Sequence, residues 1–342
     1  MANYTPSDFS TAQARLFGAF ANQEMRFRTP VTHLEFLRQA EIMIPSYQQL
    51  RLREDRAIDT YYKLRNKRAL GSARTHNHTG AKSDSGVFTP TWLTNEDKFA
   101  ISLKQGDQNI FSHEEMLSNE FQQVMINMIE GMDADAESHL FSNRSTANVA
   151  TQQGTFDAAD DVFDINSADL DRAVQITRTV MDTNEFSGNI TLFCDSIAYD
   201  TFESQRFQGA GNSTNLQFNF NNNVKMVHSL GMDAFAGGLA VPRTKGFWIA
   251  VVDVTIAALP WIPKQNREGK VTTVNTYSSM INPIDNLSYA VHSYETRADD
   301  TATNGYTQDV TTEVQVSIDV ALDNAPITVT GATSSLLAFA IV

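Results

Sequence analysis

One stretch constrains the fold of this chain more than any other: SHEEMLSNEFQQVMINMIEGMDADAESHLF, Ser112 to Phe141. Leu117, Phe121, Val124, Met128, Met132 and Leu140 recur at steps compatible with one helical stripe. Ser112 and Glu115 stand at capping-box spacing, and Glu114 and Glu115 suit the positive end of a helix. Gly131 weakens the helix without breaking its pattern. With roughly 1.5 Å of rise per residue, the stretch makes a rod on the order of 45 Å long. That is more than twice the usual globular helix. Such a rod cannot bury its own stripe, so other elements must lie along it.

The rest of the 342 residues can supply them, because 42% of the chain is hydrophobic. No run of 18 apolar residues exists, so no membrane span is expected. The opening MANYTPSDFSTAQ lacks a basic segment followed by an apolar one, so no secretory leader is expected. Cys194 is the single cysteine and sits in the apolar run ITLFC, where it reads as a small buried hydrophobe made in a reducing cytoplasm. The net charge of -14 is unevenly spread. Residues 1–75 hold 12 Lys and Arg against 7 Asp and Glu, while the remainder holds 14 against 33. A basic arm on an acidic body offers end-to-body pairing between like chains. The acidic body argues against tight nucleic-acid binding, which needs clustered cations.

Residues 1–54 read as an arm of short helical pieces with little core of its own. Leu16, Phe17 and Phe20 make a small patch; Thr32 and Glu35 have capping-box spacing before a helix that Pro45 ends. Residues 55–104 read as a long two-armed ribbon whose tip, RTHNHTGAKSDSG (Arg74 to Gly86), is almost wholly polar. A lone hairpin is marginal in water, so this ribbon must lie on something outside its own domain or move freely. After the long helix, 143–166 reads as a polar loop. Ser167 caps an amphipathic helix carrying Leu170, Ala173, Val174, Thr177, Val180 and Met181. A strand at 190–194 follows, then a short helix capped by Asp195 or Ser196, an Asn- and Gly-rich loop, and a buried strand at 247–256. EVQVSIDVAL alternates cleanly, with Val314, Val316, Ile318, Val320 and Leu322 on one face. SLLAFAIV closes the chain and is too apolar to stay in water.

Motifs for chemistry are sparse, and no catalytic, cofactor or metal residue is assigned. GAGNST (Gly209 to Thr214) lacks the third glycine of a dinucleotide loop, and no GxxxxGK[ST], HExxH or GxSxG occurs. His76 and His78 stand alone in the polar tip. Asp133, Asp135 and Glu137 lack the glycine and final glutamate of a calcium loop and read as a solvated acidic face. Asp157, Asp160, Asp161 and Asp164 form a candidate for weak cation binding.

An arm, an unsupported ribbon and an overlong helix describe a subunit that needs neighbours. Their order resembles the major capsid proteins of tailed double-stranded DNA phages, the Hong Kong 97-type fold. Ser112 to Phe141 stands in the position of the spine helix. SADLDRAVQITRTVMDTNEFSGNITLFCDSIAYDTFESQ (Ser167 to Gln205) is similar to the opening of the axial domain, and GMDAFAGGLAVPRTKGFWIAVVDVTIAALP (Gly231 to Pro260) to its later sheet. The resemblance implies an α+β chain with an arm (1–54), an extended hairpin loop (55–104), a peripheral domain (105–166) with a spine helix over 112–142, an axial domain (167–290) and C-terminal strands (291–342) returning to the peripheral domain. It implies hexamers and pentamers in an icosahedral shell in the virion, enclosing double-stranded DNA without reading its sequence. It further implies no cofactor, a separate scaffolding protein, a portal and room for decoration proteins. Intersubunit contacts fall on the loop and its basic root: Lys63, Arg65, Lys67, Arg68, Arg74, Lys82 and Trp92. A tail or baseplate subunit, or an enzyme with a mobile β-flap, are the alternatives.

Overall fold

A computed structural model describes residues 6–56, 59–63, 85–89, 91–102, 113–149, 151–210, 223–273, 275–299, 308–327 and 331–342. It is an α+β chain whose elements stand in the order the resemblance implies. The arm forms α1 (Pro6–Ala21), α2 (Val31–Met43) and α3 (Tyr47–Arg51). The ribbon strands β1 (Thr60–Lys63) and β2 (Ser85–Phe88) pair antiparallel, Thr60 opposite Phe88 and Lys63 opposite Ser85. β3 (Thr91–Ser102) and the spine helix α4 (His113–Ser142) follow. Then come β4 (Gly154–Asp157), β5 (Val162–Ile165), a 3-10 turn (Ser167–Arg172), α5 (Ala173–Thr183), β6 (Ile190–Cys194), α6 (Ser196–Ala210), β7 (Val224–His228) and α7 (Gly231–Gly237). The chain ends with β8 (Phe247–Val252), β9 (Ile256–Trp261), α8 (Lys264–Arg267), β10 (Asn275–Ile281), β11 (Ser288–Asp299), β12 (Gln308–Asn324) and β13 (Leu336–Ile341).

The strands make two larger sheets. One runs β10-β11-β12-β3, with β9 also on β12; the other runs β4-β5-β13-β8-β6-β7. In the second, the central strands are buried on both faces, which accounts for their unbroken apolar runs. Phe247, Ile249 and Val251 of β8 face the spine helix side, while Trp248, Ala250 and Val252 face α5 and α6. β13 divides likewise, Leu336, Ala338 and Ala340 against Leu337, Phe339 and Ile341. Cys194 lies fully buried on the α5–α6 side, and burial pushes its thiol pKa up, away from reactivity.

The spine helix bridges the two sheets. Near its start Phe121 packs edge-on against Phe99 of β3 (5.1 Å) and Phe9 of α1 (5.9 Å). At its end Phe141 stacks on Phe235 of α7 (4.5 Å) and meets Phe247 of β8 (6.3 Å). All six stripe residues are buried, from Phe121 and Leu140 at 0% exposed to Val124 and Met128 at 3%. Each such large apolar side chain contributes about 1.5–3 kcal/mol on burial.

Several expectations change. The arm does have a core: Phe9, Ala12, Leu16 and Ala19 of α1 are buried on the spine, and it is Phe17 and Phe20 that point outward. The supposed loop at 143–166 contains the β4–β5 hairpin, which adds two strands to the six-stranded sheet. β3 leaves the ribbon and pairs along its length with β12, from Thr91 opposite Leu322 to Ser102 opposite Thr311. The expected boundaries do not follow the sheets: β9 and β10, within 167–290, join the five-stranded sheet, and β13, within 291–342, joins the six-stranded one. The turn after β5 is capped by Asn166 rather than Ser167, its side chain accepting from the Ala168 N–H, while α6 is capped by Asp195, one of the two residues expected, which accepts from the Ala198 N–H. Ser112, His76, His78, Gly211 to Thr214 and most of the ribbon tip lie outside the described residues.

Candidate assembly interface and its internal clasps

The helix α2 begins after Pro30 with no side-chain cap of its own. The predicted box of Thr32 and Glu35 does not form, because both side chains are engaged elsewhere. The cap comes instead from the spine helix: Asp133 Oδ1 accepts from the backbone N–H groups of Thr32 and His33, 2.9 Å each. A carboxylate on these orphan donors also opposes the helix dipole favourably. One turn further, Glu137 Oε1 accepts from Arg28 Nη2 (2.8 Å), Ser229 Oγ (2.6 Å) and the Gly231 N–H (3.1 Å). Arg28 also reaches Asp133 Oδ2 at 3.2 Å. Both acids are 2% exposed, so the solvated acidic face expected for this turn is a buried junction. Burial raises the Asp133 pKa, partly offset by the His33 N–H. Gly231 is needed for closeness rather than for its dihedral: a Cβ there would lie 1.9 Å from Glu137 Oε2.

A second clasp holds the outer face of α2. Glu35 accepts from Arg38 Nε (2.7 Å) and from Lys225 Nζ of β7, while Arg38 reaches Asp253 at 3.2 Å. Burial would raise the Glu35 pKa, but the hydrogen bonds from Arg38 and Lys225 outweigh it and hold the carboxyl below its usual value. Gln39 Oε1 accepts from the Val254 (2.7 Å) and Thr255 (3.3 Å) N–H groups of the β8–β9 turn.

The ribbon root is pinned next. Arg56 pairs with Asp319 of β12 (2.8 Å) and lies over the Trp261 ring at 5.7 Å. Thr94 donates to the other Asp319 oxygen (2.6 Å). The Arg53 carbonyl accepts from Trp261 Nε1 (3.0 Å) and Arg267 Nη2 (2.6 Å). Trp92 lies half-buried at the start of β3, packed within its own chain against the Ala40, Ile44, Tyr47 and Leu259 cluster. Lys63 is on β1 with its side chain undescribed, and Arg65, Lys67, Arg68, Arg74 and Lys82 lie outside the described residues.

Four arginines of residues 1–56 are spent inside the chain. Arg15 pairs with Glu114, Arg28 with Asp133 and Glu137, Arg38 with Asp253, and Arg56 with Asp319. End-to-body pairing occurs in cis for these four. The acidic turn after β4 is likewise satisfied internally. Arg243, 2% exposed in its side chain, bonds Asp157 (2.9 Å) and Asp164 (3.0 Å) and lies 3.7 Å from Asp160. Asp160 in turn accepts from the Ala240 and Val241 N–H groups. The candidate cation site is filled by the chain's own guanidinium, and among the described residues no cluster of three metal-type ligands occurs.

Neither long-range ion set was legible from spacing alone. The four-residue step from Asp133 to Glu137 did carry a signal, since it puts both carboxylates on one helix face. A serine, a histidine and an aspartate also meet at the start of α6. Ser196 Oγ lies 3.1 Å from His228 Nε2 and donates to Asp233 Oδ2 at 2.6 Å. A hydrolytic triad needs the carboxylate behind the histidine. Here the carboxylate holds the hydroxyl directly and also accepts the Ser196 N–H at 2.9 Å, so the arrangement caps a helix. No helix among the described residues is long and apolar enough to cross a membrane.

No known protein family and no curated protein matches the sequence. Solved structures share its fold at low identity. The chain is similar to one in the asymmetric unit of bacteriophage PhiM1 mature capsid, with 9% identity, TM-score 0.43, and 84% of this chain and 83% of that chain covered. It is similar to one in the cyanophage Pam1 capsid asymmetric unit, with 10% identity, TM-score 0.45 and 87% and 88% covered. A chain from Mycobacterium phage Che8 aligns with 8% identity, TM-score 0.42 and 83% and 85% covered.

Proposed function

We propose that this chain is the major shell-forming subunit of a tailed-phage capsid of the Hong Kong 97 type. In this reading the five-stranded sheet with the spine helix forms the peripheral part, and the six-stranded sheet with α5 and α6 the axial part nearer the capsomer centre. Subunits join as hexamers and pentamers, and one repeated heterologous contact closes them into an icosahedral shell around double-stranded DNA. A scaffolding protein would guide assembly, and a portal would occupy one vertex. No catalysis is assigned.

The observation that carries the reading is the contrast between the ribbon and its root. The arm up to Arg56 is clasped to the body by buried carboxylates, and β3 is zipped to β12. Between these two anchors, β1 and β2 have only each other as ladder partners among the described residues. A two-stranded ribbon is marginal by itself, and a rigid root holds it ready for a surface supplied by a neighbour. In this reading the cations of the ribbon (Lys63, Arg65, Lys67, Arg68, Arg74) meet the acidic surplus of another copy.

The test replaces residues 75–85 by a Gly-Ser link and, separately, reverses the charge of Arg65, Lys67 and Arg68. Both variants should fold with wild-type circular dichroism and fail to build heat-stable shells, the charge variant more so at low salt. Normal shells from both would overturn the reading of the ribbon as an intersubunit clasp.

A further inference from the structure

At the ribbon root, between α3 and the edge formed by β9 and α8, a cavity of about 350 Å³ opens to solvent. Its walls include Gln48, Arg51, Leu52, Trp261, Ile262 and Arg267. Two features set it apart from an ordinary crevice.

The first is charge. Arg267 spends its Nη groups on the carbonyls of Arg51 (3.3 Å) and Arg53 (2.6 Å), while its buried Nε has no hydrogen-bond partner among the described residues. Among the described residues the Arg51 guanidinium meets the Tyr47 ring, 5.5 Å away, and neither guanidinium has a carboxylate within ion-pair distance. Arg15, Arg28, Arg38 and Arg56 have acidic partners in cis, whereas these two guanidinium groups line one cavity together in a chain of net charge -14. The second is shape and polarity. Leu52, 69% exposed, lines the cavity together with Trp261, so apolar surface shares it with the two guanidinium groups. The corner is also held in place, because the Arg267 and Trp261 bonds to Arg53 fix the turn that carries Leu52.

We propose that this cavity receives an Asp- or Glu-bearing segment of a second copy of the chain, its carboxylate on Arg51 and Arg267 and its aliphatic stem against Leu52 and Trp261. The volume suits one or two side chains rather than a folded module. Outside residues 1–75 the chain carries 33 acidic against 14 basic residues, so a second copy offers such carboxylates in surplus. The cavity also borders the segment that leads into β1, the ribbon that the shell reading lays on a neighbour. This inference rests on the shell reading above.

The experiment places a photoreactive benzoylphenylalanine at position 52 of the full chain, in particles assembled from a mixture of isotopically light and heavy subunits. After irradiation, mass spectrometry should find crosslinked peptide pairs that combine light with heavy, the partner peptide containing Asp or Glu. Crosslinks confined to same-label pairs, or made only to a different protein or to peptides without acidic residues, would overturn the proposal. In parallel, Arg51→Glu should leave the melting of the unassembled chain unchanged and lower the assembled fraction at least tenfold, with Arg51→Lys restoring most of it. If Arg51→Glu assembles like the wild type, the cavity is not an intersubunit socket. If the wild type itself forms no particles, the shell reading fails first and this inference falls with it.

Discussion

Arg28 of the arm donates to Glu137 of the spine helix across 2.8 Å, joining positions 109 residues apart. With Asp133 one turn earlier, this contact turns a detached-looking arm into part of the body. Asp133→Ala would strand the Thr32 and His33 N–H groups and half of the Arg28 contacts, costing about 2–4 kcal/mol. Asp133→Asn keeps an acceptor and should cost less. Urea unfolding measures the loss, and limited proteolysis should show the arm released first. Unchanged stability in Asp133→Ala would remove the clasp from the account.

The same junction explains Gly231. A methyl group there would press on Oε2 of the buried Glu137 carboxylate, whose Oε1 accepts the Gly231 N–H, so Gly231→Ala should cost about 1–3 kcal/mol. The two positions share one space, so Gly231→Ala combined with Glu137→Ala should cost less than the sum of the single changes. Additive costs in that double-mutant cycle would show that the contact does not matter.

Arg243 balances Asp157, Asp160 and Asp164 in a buried corner. Arg243→Met should cost about 3–5 kcal/mol at pH 7 by leaving carboxylates unpaired. Without the guanidinium the folded carboxylates take protons more readily than the unfolded ones. The variant's deficit should therefore shrink as the pH is lowered from 7 towards 5. A deficit that stays constant across that range would mean that packing, not charge, is what Arg243 supplies.

Two buried groups give opposing pH slopes. Burial raises the Asp323 pKa to about 7, and its Oδ1 has no hydrogen-bond partner among the described residues. The folded chain therefore holds a proton that the unfolded chain has lost, and stability falls as pH rises from about 4 to 7. Burial beside Phe36 lowers the His139 pKa to about 4, so the folded chain lacks a proton that the unfolded chain binds. Its contribution makes stability rise over about pH 4 to 6.5. Each slope approaches about 1.4 kcal/mol per pH unit at most, and the two largely cancel. Asp323→Asn should leave a rising profile, and His139→Gln a falling one. Denaturation midpoints between pH 4 and 7 decide it, and identical profiles for both variants would contradict these burials.

What was legible in the sequence was periodicity. The spine stripe, the alternation of β12 and the apolar runs of β8 and β13 all repeat at the spacing of their elements, and each is buried where that spacing puts it. What was not legible depends on partners far along the chain. Phe17 and Phe20 look like a patch in isolation, yet Phe9, Ala12, Leu16 and Ala19 are the face that the spine selects. Thr32 and Glu35 have the spacing of a cap, but Asp133 arrives from 101 residues away and supplies a better one. The acidic turn at 157–164 looks like a cation site because its counter-ion, Arg243, stands 79 residues beyond Asp164. In each case a local pattern was right about chemistry and silent about which distant residue would satisfy it.

The central claim is that this subunit is completed by copies of itself, and electron microscopy of the purified full chain, with sedimentation velocity over a concentration series, tests it most directly. The account predicts closed shells, or hexameric and pentameric capsomers that grow with concentration. A stable monomer at the highest concentration, with the 60–88 ribbon protected from proteases, or open tubes in place of shells, would contradict it.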